Sequence, residues 1–164
     1  MKDTIGKIFK EGLVGGLIAY GAVVVVLALL NLASGRSVFH TAAAMGAVLL
    51  HGADAAAAFT VGPQPILAYN GVHLVGSILV AVGAAFIVHE TELHWPIWYL
   101  GLMLLIASAF YAVILVGVLG VEIGHVLDWT TVLVGAAAWI GAMTAYFLRV
   151  HHGLLKGIRS EAAG

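Results

Sequence analysis

The sequence contains no cysteine, which removes disulfides, thiolate metal sites and thiol nucleophiles from consideration. Charge is scarce as well. Asp, Glu, Lys and Arg make up 9% of the 164 residues, against about 25% in an ordinary soluble domain. Seven basic and eight acidic side chains cannot cover a soluble globule of this size. The composition therefore excludes a soluble enzyme and a disordered regulator. With a net charge of −1 and no basic stretch that could track a phosphate backbone, it excludes a nucleic-acid partner too. There are three prolines, and no glycine-rich phosphate loop follows a strand-like run. What remains abundant is apolar: 62% of residues are hydrophobic and the mean hydropathy is +1.08. These are the proportions of an integral membrane protein, read here as one transmembrane domain over residues 1–164.

The few charges lie between long neutral runs. Residues 12–35, 93–121 and 129–148 carry no Asp, Glu, Lys or Arg, and in the neutral run 55–89 Pro63 and Pro65 mark a break. At 1.5 Å per residue each uninterrupted run covers roughly 30 Å, the hydrocarbon thickness of a bilayer. In lipid a backbone must satisfy its own hydrogen bonds, so runs of this length are helices. The reading is an all-α membrane protein with four transmembrane helices, near residues 12–33, 65–89, 95–120 and 128–150. Interfacial aromatics agree: Trp95, Trp98 and Tyr99 open the third, Trp129 opens the fourth, and Tyr146 and Phe147 lie near its end. The first apolar run is too long for a signal-peptide core, so it reads as a retained helix.

The segment 39–59 is different. It is alanine-rich and carries His40, His51 and Asp54. At about 100° per residue the two histidines fall within about 20° of each other, with Asp54 about 60° further round. One polar edge on a mildly apolar segment suits a short outer helix, interfacial or re-entrant, better than a span. Basic residues support that count. Lys2, Lys7 and Lys10 precede the first helix, and Arg149, Lys156 and Arg159 end or follow the last; Arg36 alone occupies the other flank. The positive-inside rule then makes both termini cytoplasmic, which needs an even number of spans. The expected location is a bacterial or archaeal inner (cytoplasmic) membrane.

Small residues recur at four-residue spacing: Gly12 and Gly16 in the first helix, Ser77, Ala81 and Ala85 in the second, Ala137, Gly141 and Ala145 in the fourth. Lipid supplies no hydrophobic drive for helix association, so such faces serve close backbone contact, either within the bundle or with another membrane protein or a second copy. The neutral runs hold no Asp, Glu, Lys or Arg near mid-depth, which argues against a coupled transporter. Histidine is the one ionisable type inside. His73 shares a helical face with Asn70 and Ser77, and this polar stripe is expected to face the bundle, with Asn31, Asp128, Thr130 or Thr131 within reach.

A structural hydrogen bond is the plain reading of His73. The alternative is a ligand role, with His73, His51 and His125 as candidates for b-haem and His51, Asp54, His73 and His125 as candidates for a metal ion. No recognised ligand spacing supports it, and di-haem four-helix bundles bury more histidines than this chain does. His151 and His152 are adjacent, so their rings diverge on a helix, and they read as a solvated or headgroup-contacting end. Two functions follow as expectations. One is a non-catalytic membrane subunit packed against larger membrane proteins, in a redox or energy-converting complex. The other is a small electron-transfer or metal-binding membrane protein.

Overall fold

The computed structural model of the chain describes residues 2–52, 59–93, 106 and 128–152. The described residues form four helices: α1 (Lys2–Ala33), α2 (His40–His51), α3 (Pro63–Leu93) and α4 (Trp129–Val150). Among the described residues there is no strand. Three helices, over Thr4–Ala33, Pro63–Glu90 and Trp129–Val150, are long and apolar enough to cross a membrane. The described residues are thus all-helical in their regular structure, and the three long helices have the length and hydropathy of an integral membrane protein. The expected helix at 95–120 lies outside the described residues, as do Asp54 and His125.

α1 begins ten residues before its neutral run does. A charged turn does not end a helix, and Lys7 and Glu11 stand one turn apart with Nζ and Oε1 at 3.8 Å. At 1.5 Å per residue α1 is about 48 Å long, so its first turns reach beyond a hydrocarbon core of about 30 Å. α3 opens on Pro63, where the missing N–H of proline costs nothing. Asp128 caps α4, its side chain accepting from Thr130 N at 3.3 Å. α2 has 12 residues, about 18 Å, too short to span. It buries Thr41, Ala43, Ala44, Gly46 and Ala47, and a Cβ on Gly46 would overlap the Pro65 carbonyl at the head of α3.

α1 is the centre of the arrangement. Gly12 lies against Val82 and Gly16 against Ile78 and Ser77, while Tyr20 bonds Asn70. On its other side Glu11 meets His151, Gly15 meets Tyr146 and Phe147, and Leu27 meets Gly135. In both series the partner number falls as the α1 number rises, so α1 runs antiparallel to α3 and to α4. The shared core is built from small side chains: Ala19, Ala81 and Ala85 are wholly buried, joined by Ile8, Ala84, Val88, Met143 and Phe147. Large side chains such as Leu29, Leu67 and Leu79 are exposed instead. That is the inverse of a soluble core, and it follows from a solvent as apolar as the side chains themselves.

A Cβ on Gly16 would lie 2.6 Å from the Ile78 Cα, a backbone atom that cannot turn aside. Gly16→Ala should therefore push α1 and α3 apart and destabilise the bundle by about 1–3 kcal/mol, the usual cost of overpacking. Nothing lies within 4 Å of the same position on Gly21. Gly21→Ala should be neutral, or stabilising by up to about 1 kcal/mol through helix propensity. Unfolding in mixed detergent micelles measures both.

Candidate functional site

Polar side chains inside a membrane bundle need partners, and the described helices supply them in three layers. The first layer forms at the corner between α1 and α2. Asn31 Nδ2 donates to the Val38 carbonyl at 3.0 Å, and Thr41 Oγ1 donates to Asn31 Oδ1 at 2.9 Å. Both residues are buried. Gly35 makes the turn possible with φ +68°, a conformation unfavourable for a side chain bearing a Cβ. Asn31 is thereby occupied within its own corner, and Asp128 with the cap of α4. Neither acts as the partner of His73 that the sequence suggested.

The middle layer is the Asn70–His73–Ser77 stripe of α3. Tyr20 Oη donates to Asn70 Oδ1 at 2.9 Å, and Asn70 Nδ2 turns back to the Ile66 carbonyl at 2.8 Å. Trp139 Nε1 donates to Ser77 Oγ at 2.9 Å, tying α4 to α3. Trp139 is therefore a hydrogen-bond donor as well as a residue packed against the core. Between these two bonds lies His73, about 15 Å along α3 from Pro63. Its ring stacks on Tyr69 (5.4 Å between centroids, 7° between planes) and tilts against Tyr20 at 5.7 Å. His73 Nε2 is buried and has no hydrogen-bond partner among the described residues.

The third layer was not legible in the sequence. His151 is 2% exposed, and its Nε2 donates to Glu11 Oε2 at 3.1 Å across 140 residues of chain. The reading of His151 as a solvated helix end is corrected; that description fits the exposed His152 alone. The separation hid the pair, since neither residue carries a local signal. Its geometry follows from the antiparallel register, which brings the first turns of α1 to the last turn of α4. Lys7 adds its charge to the other Glu11 oxygen.

The remaining candidates are dispersed. His51 ends α2 and is exposed, whereas His73 lies among the rings between α1 and α3. His40 packs on Phe59 at 5.2 Å; burial, and then the charge of Arg36, hold its imidazole below the ordinary histidine range. Among the described residues no group of three or more His, Asp or Glu side chains is arranged to hold a metal ion. Of the small residues, Gly12, Gly16, Ser77 and Ala81 lie in helix contacts, while Ala137 and Gly141 are on the exposed side of α4. α4 instead meets its neighbours through Gly135, Trp139, Met143 and Phe147, a stripe of the same four-residue period rotated away.

No known protein family matches the chain, and neither a curated protein nor a solved structure is similar to it. The class therefore rests on the described helices themselves, three of them of membrane-spanning length and joined by interhelical hydrogen bonds.

His151→Ala leaves the Glu11 carboxylate buried without its imidazole donor, which should cost about 1–3 kcal/mol. His152→Ala, one residue further on and exposed, should stay within about 0.5 kcal/mol of the parent. Thermal unfolding of the two variants in the same detergent compares them directly.

Proposed function

We propose that the protein is a non-catalytic integral membrane subunit that packs against larger membrane proteins, in a redox or energy-converting complex. The observation that carries this reading is the exposed face of α4, where Ala137, Gly141 and Ala145 stand at four-residue spacing beyond the stripe that meets α1. Nothing lies within 4 Å of a Cβ on Gly141. Small residues facing outward allow a foreign helix to approach backbone to backbone. The polar groups of the bundle add support, because Tyr20, Asn70, Ser77, Trp139, Glu11 and His151 are engaged in joining helices. Purification from native membranes in mild detergent, followed by mass spectrometry, should recover a stoichiometric membrane partner. Gly141→Leu should abolish that recovery and leave the chain folded. A chain that purifies alone, or a partner retained by the variant, overturns the reading.

The proposed topology has four spans and two cytoplasmic termini. α3 and α4 both run antiparallel to α1, so the end of α3 and the start of α4 belong to opposite ends of the bundle. The neutral run 93–121 falls between them, long enough for the return crossing. Because the chain has no native cysteine, Asp3→Cys and Ala162→Cys report on each terminus alone. Both should label with a membrane-impermeant maleimide only after the membrane is opened. Labelling from opposite sides would defeat the four-span topology.

A second reading, a small electron-transfer or metal-binding protein, draws on His73: an imidazole at depth between two tyrosine rings, with Nε2 unbonded among the described residues. An absorption spectrum and metal analysis of the purified protein test it. A Soret band or stoichiometric metal favours this reading; a colourless, metal-free preparation from native membrane eliminates it.

A further inference from the structure

The inner end of α1 separates its charges. Glu11 is turned inward, 8% exposed, with its carboxylate against His151. Lys7 and Lys10 are turned outward and exposed. The Lys7 Nζ reaches Glu11 Oε1 only at 3.8 Å, beyond hydrogen-bond length, so its N–H donors remain available. Lys10 makes no ion pair among the described residues. The two lysines stand three residues apart, neighbours on the helix surface at about 60°. Gly6, one turn before Lys10, has nothing within 4 Å of its Cβ position and leaves open space beside them.

Seven residues further along the same two faces stand Val14 and Leu17, 36% and 48% exposed. Each lysine therefore has an exposed apolar side chain about 10 Å deeper toward the middle of the span. A cationic pair above an apolar strip has the polarity of a phospholipid: an anionic headgroup at the lysines, an acyl chain on Val14 and Leu17. Glu11, an acid that would repel such a headgroup, is withdrawn onto His151.

We propose that Lys7 and Lys10, with the open space over Gly6, form a binding site for the headgroup of an anionic phospholipid, with its chain lying on Val14 and Leu17. A zwitterionic lipid carries its own ammonium group and gains less from the two lysines. The assignment does not depend on the subunit role, since it concerns lipid retained by this chain alone.

The test is native mass spectrometry of the full chain in detergent, titrated with phosphatidylglycerol or phosphatidylcholine. The parent should retain phosphatidylglycerol preferentially. Lys7→Gln with Lys10→Gln should reduce that preference by about fivefold per lysine and leave phosphatidylcholine retention unchanged. Unchanged helicity and unfolding temperature confirm that the double variant is folded. Arg149→Gln removes an exposed cation from another face of the bundle and should leave the preference intact. Equal retention of the two lipids by the parent overturns the site. So does an unaltered preference in the double variant, or an equal loss in Arg149→Gln, which would mean diffuse attraction. Inorganic phosphate should not displace the lipid; displacement at comparable concentration would make this a free-anion site and refute a lipid one.

Discussion

The seam between α1 and α3 is so close at Gly12 and Gly16 that a single added carbon would meet the backbone of Val82 or Ile78. Everything else described in the bundle is arranged around this approach. In water such a seam would be one contribution among many to a hydrophobic core. In lipid the apolar side chains gain nothing by leaving one solvent for another, and dispersion between closely approaching backbones becomes a main source of association. That is why the buried positions are Ala19, Ala81 and Ala85, while Leu29, Leu67 and Leu79 point outward.

The interhelical hydrogen bonds depend on the same register. With Gly16 held against Ile78, Tyr20 falls opposite Asn70, one turn further along α1. With α4 on the other flank, Trp139 reaches Ser77 and His151 reaches Glu11. Each such bond in a membrane is worth about 0.6 kcal/mol on average, too little to assemble helices alone. Their effect is on specificity: a helix rotated or shifted by one turn would leave several polar groups unpaired in hydrocarbon at once. His73 is the group this register leaves without a hydrogen bond among the described residues, held by aromatic contact with Tyr20 and Tyr69 instead.

The two ends of the bundle are built differently. The end at the α1–α2 corner is closed by a local device, the Asn31 amide that serves both Val38 and Thr41 within ten residues of sequence. The opposite end is closed by a distant one, the Glu11–His151 pair, which joins the start of α1 to the end of α4. That carboxylate is buried while Lys7 and Lys10 are exposed, so a packing interaction shapes the electrostatics presented at this end of α1.

Hydropathy and helix rise were sufficient to read α1, α3 and α4 as long apolar helices and to set 39–59 apart from them, because lipid solubility is additive along a chain. Helix ends were less legible. α1 starts at Lys2 rather than near residue 12, since the end of a neutral run marks the edge of hydrocarbon and not the end of hydrogen bonding. Pairing was not legible at all. The period that marks Gly12 and Gly16 also marks Ala137 and Gly141, yet the former pair touches α3 and the latter is exposed. Asn31 and Asp128 were as available to His73 on paper as to the corner and the cap they serve. Such choices depend on the rotation and depth of one helix against another, three-dimensional quantities that no single helix carries in its own sequence, and so the tertiary structure alone decides them.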